Sequence, residues 1–268
     1  MRWSIKYSNT IMNNKFEVKY KKLLKKILEK GVYRKDRTGV GSYSLFDLSL
    51  KANIADYFPV ITGRKMYPRI FNTEFQWFIN GETNIKRFKD NKVTIWDSWA
   101  DENDELGPVY GYQMRNFNSQ NIDQMENVIK SLRTDPDSRR HIISLWNPAQ
   151  QDQMALPPCY LYFQFFVENN ALNMFVVQRS GDMFLGIPYD MCLFSSVLLY
   201  VADQVNLFPN NITLKIVDAH IYKNQLNSVM EYLEQPIFNL PKYFTDIDGN
   251  ITLEDYIHGK VITAAVAV

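Results

Sequence analysis

The sequence predicts an α+β fold, a single domain in which helices pack against a β-sheet. Helical and strand-like stretches are mixed along 268 residues, and neither a Gly/Ser- or Pro-rich linker nor an internal repeat divides them. Apolar residues make up 46% and charged residues 22%, the balance of a globular chain, which excludes disordered, collagen-like and low-complexity classes. No apolar run reaches the roughly 18 to 20 residues of a membrane span. Residues 1–14 lack the apolar stretch and cleavage site of a signal peptide and read as a frayed N-terminal extension.

The elements follow in order. Residues 16–30 carry Val18, Leu23, Leu24, Ile27 and Leu28 at helical spacing with lysines on the other face, and Gly31 follows as a C-cap. The lysines read as a solvated face. Residues 42–52 alternate as a strand. Residues 67–79 are apolar apart from Arg69, Asn72, Thr73, Glu74 and Gln76, the pattern of a buried helix, which Asn80-Gly81 ends. Residues 124–133 form an amphipathic helix. Residues 141–146, 160–168 and 172–178 read as strands, the last two joined by an Asn169-Asn170 hairpin turn. Residues 191–205 form a long apolar helix and 213–222 a further strand.

Thirty basic against twenty-nine acidic residues leave a net charge of +1, which argues against bulk nucleic-acid binding but not against a local arginine cluster for one small phosphate. Two cysteines, Cys159 and Cys192, make no disulfide framework and point to a reducing, cytoplasmic setting, the host's if the chain is viral. With three scattered histidines they offer no zinc spacing either, so no metal is expected.

Cys159 follows two prolines and directly precedes a strand, which would hold its thiol in one orientation. It is a buried structural cysteine or a nucleophile, and a nucleophile needs positive charge nearby to favour the thiolate. Arg37, Arg139, Arg140 and Arg179 are candidates, either as surface ion pairs or as forks for phosphate. His220 and Tyr222 stand two apart on a strand and share a face, suited to a sugar hydroxyl or to each other. Trp96 and Trp99 are core residues or a stacking platform for a flat heterocycle. No Gly-rich phosphate loop is present.

These residues resemble the thymidylate synthase family over nearly the whole chain. The matching stretches are Asp36-Arg37-Thr38-Gly39, Thr94-Ile95-Trp96-Asp97, residues 99–111, residues 135–140, Pro157-Pro158-Cys159, Gln178-Arg179-Ser180-Gly181-Asp182, Phe184-Leu185-Gly186, residues 218–222 and the terminal Ala265-Val266-Ala267-Val268. The resemblance implies one catalytic domain over residues 15–268, with a large mixed sheet packed back to back in a homodimer. It implies methylene-tetrahydrofolate as one-carbon donor and Cys159 as the nucleophile adding to C6 of a pyrimidine nucleotide. Arg37, Arg179 and Ser180 match phosphate ligands, and Arg139 with Arg140 the arginines lent to the partner's site. Glu74 matches the carboxylate that organises proton transfers, Tyr110 lies by C5, and Gln178 contacts the substrate. His220 and Tyr222 match contacts to the 3′-hydroxyl. Trp96, Asp182, Arg64 and Ala267 match folate contacts, and the Val268 carboxylate closes the tail over the site.

Departures from the family pattern decide the substrate. Asp190 stands where the dUMP enzymes carry Asn, whose amide donates to O4 and accepts from N3–H of uracil. Cytosine reverses both groups, and a protonated carboxyl matches it. The same exchange distinguishes the family's dCMP hydroxymethylases, found in phages that modify their cytosine. The resemblance therefore implies dCMP hydroxymethylation, with dCMP methylation second. Thymidylate synthesis from dUMP, and a non-catalytic nucleotide- or RNA-binding paralogue, are the alternatives. Tyr160 replaces a histidine found after the nucleophile in many synthases and either alters the waters at C4 of the base or is a tolerated replacement. Thr62-Gly63-Arg64-Lys65 also departs from the family's Thr-Thr-Lys-Arg, which loosens the folate contact of Arg64.

Overall fold

A computed structural model describes residues 14–55 and 57–267. Six strands form one mixed sheet in the order β1-β2-β6-β5-β4-β3: β1 (Val32–Arg34), β2 (Ser42–Asn53), β3 (Ile142–Ser144), β4 (Tyr160–Glu168), β5 (Ala171–Asp182) and β6 (Phe208–Tyr222). Only β5 and β6 pair in parallel. Helix α6 (Gly186–Val205) is the crossover between them, as a parallel pair demands. Its Met191, Cys192, Leu193, Phe194, Val197 and Leu198 are fully buried, so a helix apolar on nearly every side lies inside the molecule. Helices α1 (Lys15–Lys30) and α2 (Pro68–Ile79) pack around it and the sheet. Four shorter helices follow in the connections, α3 (Lys86–Asp90), α4 (Tyr110–Arg115), α5 (Gln124–Thr134) and α7 (Leu226–Leu233), and β7 (Lys242–Thr245) with β8 (Ile251–Glu254) forms a separate hairpin.

The two faces of the sheet differ. On β4 and β5, Phe163, Phe165, Leu172, Met174 and Val176 point into the core. The alternate residues form an outer face on which Phe166 is 62% exposed and, on β6, Val217 is 41% exposed. Asn169 and Asn170 both take positive φ, 50° and 61°, the turn geometry that matches strand twist in a two-residue hairpin.

Most expected elements form close to their predicted bounds, with informative differences. Asn14, placed in the frayed extension, is instead the buried N-cap of α1, its side chain accepting from the Glu17 N–H at 3.0 Å; residues 1–13 lie outside the described residues. Gly31 is extended (φ −65°, ψ 137°), not left-handed, and glycine is required there because a Cβ would lie 2.4 Å from the Ile27 carbonyl oxygen. At Gly81 the left-handed cap does form: its N–H bonds to Phe78 O and that of Glu82 to Trp77 O. The strand expected over 141–146 shortens to Ile142–Ser144. Strand β5 runs on to Asp182, four residues past the prediction, and α6 starts at Gly186, one turn and more before it. Both extensions converge on the site.

Candidate active site

The end of the core-facing side of the sheet, the N-terminus of α6 and one face of α2 enclose a cavity of about 260 Å³. Three alternate residues of β5, Gln178, Ser180 and Asp182, line it because a strand repeats its face every second residue. Tyr160 pairs with Gln178 across β4 and β5, and Cys159 precedes it. Helix α2 contributes Ile70 and Glu74, one turn apart, and α6 contributes Tyr189 and Asp190, with Leu185 just before its first turn. Trp96 and Trp99 meet at 66° with ring centroids 5.8 Å apart and form an aromatic wall, with Val266 of the C-terminal tail also on the lining. Trp96 packs on Trp77 and Tyr110 as well, so it is both core and cavity wall.

Around the thiol the backbone is held on two sides. The Cys159 N–H donates to the Tyr110 hydroxyl at 3.1 Å. Tyr110 opens α4 with φ +36°, a strained conformation for an aromatic residue and of the kind that surrounding structure maintains at functional sites. Arg179 donates from Nε to Pro158 O at 2.9 Å and from Nη2 to Pro157 O at 2.8 Å, tying down the segment before the thiol. Burial pushes the Cys159 thiol up; Arg179 and, more weakly, Arg37 pull it down, while Asp190 pushes it further up. The sequence argument that arginines favour the thiolate thus has the right sign for those two residues, but burial outweighs them and the resting thiol keeps its proton.

Two carboxyls in the cavity also keep protons near neutrality. Burial, then the charge of Asp190, raises Glu74 to about 8; the Trp96 indole opposes the shift, although its N–H is buried and makes no hydrogen bond. Burial raises Asp190 to about 7, with Asp182 adding to the rise and a 2.7 Å hydrogen bond from Gln178 Nε2 to its Oδ2 opposing it. Asp190 is partly exposed to the cavity that it lines. Gln178 Oε1 is buried without a donor. Asp182 is used differently: Oδ1 accepts from the N–H groups of Phe184 and Leu185, capping the chain ahead of α6, and Oδ2 accepts from Gln225 Nε2 at 2.7 Å.

The remaining candidates lie around this centre. His220 pairs with Asp182 across β5 and β6, and its ring meets Tyr222 edge-on at 4.9 Å. Burial lowers the His220 pKa, but the hydrogen bond and charge of Asp218 and the charge of Asp182 reverse this and leave it raised. Tyr222 is pushed up to about 12 by burial and by Asp182 and Asp36, against the pull of Arg37, which brings Arg37 within electrostatic reach of this corner. Arg37 is exposed. Arg139 and Arg140 are exposed before β3 and do not line this chain's cavity. Arg64 points inward. It is 4% exposed, donates from Nη2 to Phe184 O at 2.7 Å and lies over the Phe184 ring, so it braces the turn before α6 from within. Ala267 is buried beside Val266, and Val268 lies outside the described residues. The apolar lining from Ile70, Leu156, Leu185 and Tyr189 was not singled out from the sequence. Its one readable signal was the spacing of four that sets Ile70 under Glu74 and Leu185 under Tyr189.

A thiol on a clamped backbone, beside one acid raised to about 8 and another that titrates near 7, is equipment for covalent group transfer. Residues 18–268 match the thymidylate synthase family, and the chain belongs to it. Members of that family carry out folate-dependent transfer of a methyl or hydroxymethyl group to C5 of a pyrimidine nucleotide, with methylene-tetrahydrofolate as co-substrate, and this chain is accordingly a one-carbon transferase.

Proposed function

We propose that the nucleotide is dCMP and the product 5-hydroxymethyl-dCMP. The observation that carries this is Asp190: a carboxyl lining the cavity, bonded by Gln178 on one oxygen, with its pKa raised to about 7. When protonated it offers one donor and one acceptor, which cytosine meets with N3 and the N4 amine, and which uracil also meets with O4 and N3–H. When ionised it offers acceptors only. The proton needed between Asp190 and the base must then come from solvent, and cytosine N3, a far more basic acceptor than uracil O4, shares it more readily. Shared between Asp190 and N3, that proton favours dCMP over dUMP, and binding of either weakens as pH rises through about 7.

In this reading Cys159 Sγ loses its proton and bonds to C6, and the C5=C6 electron pair becomes available at C5. Tyr110 and Arg179 keep the sulfur in line by holding the backbone on both sides of it. Methylene-tetrahydrofolate supplies the one-carbon unit, for which the Trp96–Trp99 wall is a flat apolar surface. Glu74, protonated at neutral pH, gives and recovers the proton needed at the base edge. The bond from the folate nitrogen to the transferred carbon would then break, water would add its hydroxyl to that carbon, the C5 proton would leave to solvent, and rupture of the Sγ–C6 bond would release 5-hydroxymethyl-dCMP and the thiol, with tetrahydrofolate as the other product. Arg37, Ser180 and the unused Nη1 of Arg179 take the phosphate, and His220 with Tyr222 takes the sugar hydroxyl.

The apolar outer face of the sheet, with Phe166 and Val217 exposed, supports a back-to-back homodimer in which Arg139 and Arg140 serve the partner's site. Methylation of dCMP is the second reading. It is favoured by the closing of the cavity with Trp96, Trp99 and Val266, since excluding water suits hydride transfer over hydration. The test is product identification by mass after incubation with methylene-tetrahydrofolate and either dCMP or dUMP. A hydroxymethyl product with tetrahydrofolate supports the first reading, a methyl product with dihydrofolate the second, and turnover of dUMP alone overturns both.

A further inference from the structure

We propose that Tyr160 is a specificity-determining residue whose hydroxyl holds the exocyclic group at C4 of the pyrimidine, between Glu74 and Asp190. This rests on the C5-transfer reading above. Tyr160 is 4% exposed, yet it lines the cavity. Its ring has no freedom to turn away, being packed on Tyr110 at 4.6 Å and Phe194 at 5.1 Å, with Phe163 and Phe78 behind at 6.1 Å and 6.3 Å. Its strand partner is Gln178, the residue that bonds Asp190, so the two side chains share a face and point to the same end of the cavity. The phenol lies within electrostatic reach of Glu74, Tyr110, Asp190 and Cys159, but its hydroxyl makes no hydrogen bond among the described residues.

The hydroxyl opens on the cavity and has no partner among the described residues, so its partner is to be sought in what fills the cavity. With Cys159 bonded to C6 and Asp190 facing N3, the group left over on that edge of the ring is the substituent at C4. An amine there donates to the phenol oxygen, and the phenol O–H is free to donate to Glu74. Burial and the surrounding negative charge keep the phenol far from ionising, so it acts as a fixed donor and acceptor, not as an acid.

The test is Tyr160→Phe, which keeps the packed ring and removes only the oxygen. Release of tritium from C5 of dCMP and of dUMP is measured for the wild type and the variant, together with melting temperature and the alkylation rate of Cys159. The expected result is a fall of about tenfold to a hundredfold in kcat/KM, larger for dCMP than for dUMP, with stability and alkylation unchanged. Unchanged kcat/KM and unchanged preference overturn the proposal. A wild type that turns over dUMP alone removes the dCMP reading, and the comparison then stands on dUMP. A wild type that turns over neither removes the transfer reading. Calorimetric Kd values of dCMP and dUMP for the two proteins then decide, and equal values or no binding count against Tyr160.

Discussion

Glu17 and Glu74 are both buried helical glutamates, and the molecule treats them in opposite ways. Glu17 on α1 accepts from Asn14 Nδ2, the N–H and hydroxyl of Thr62, the N–H of Gly63 and the hydroxyl of Tyr232, five donors between 2.6 and 3.0 Å. Those bonds tie α1 to the 62–63 turn and to α7. Glu74 has no hydrogen bond among the described residues, and the one indole N–H near it is left unbonded. Asp190 has a single donor. A buried carboxylate satisfied on every side is scaffold, whereas one left short of donors takes up a proton and becomes a reagent. On the proposed function, the shortage at Glu74 and Asp190 is stability forgone where chemistry needs it.

The largest effect that separates the two regions is on turnover. Cys159→Ser should lower the rate of tritium release from C5 by about a thousandfold or more while leaving the melting temperature within a degree or so. A variant that lost both would place the thiol in the scaffold. Glu17→Ala should do the reverse. It strands several buried donors and should cost about 3 kcal/mol or more in urea denaturation. A loss below about 1 kcal/mol would break the contrast with Glu74.

A smaller effect has a definite sign. Asp190 and Glu74 have folded pKa values raised above their unfolded ones, so the folded state holds protons that the unfolded state releases. Their burial costs nothing below about pH 4 and costs progressively more up to about pH 8. Asp190→Asn removes one share of that cost. The stability of the variant relative to wild type should therefore improve between pH 5 and pH 8, by about 2–3 kcal/mol. A pH-independent difference would show that Asp190 is ionised throughout.

The scaffold was more legible in the sequence than the site. Residues 160–168 form a strand with the predicted bounds, because apolar alternation and a tight Asn-Asn turn point to the same structure. The identities of Cys159, Glu74, Tyr110, Gln178, Ser180, Asp182 and Asp190 were readable too, through the family resemblance, and they line one cavity. What was hidden was the backbone that brings them together. Arg179 to Asp182 continue β5 but read as loop, since polar residues interrupt the alternation. The first turn of α6 contains Gly186 and Pro188, which read as breakers, although Pro188 sits where a helix tolerates proline and Asp182 caps the turn before it. The inward turn of Arg64 was hidden for another reason: an arginine in a turn reads as solvent-facing, and only the tertiary fold brings the Phe184 carbonyl and ring within its reach. Thiol burial likewise depends on Tyr110 and α6, far from Cys159 in sequence.

The central claim, that Asp190 makes this a cytosine enzyme, is tested most directly by the ratio of kcat/KM for dCMP to that for dUMP in the wild type and in Asp190→Asn at pH 7.5. The ratio should exceed one in the wild type and invert in the variant, the swing being about a hundredfold. A wild type that prefers dUMP, or a ratio that the substitution leaves unmoved, contradicts it.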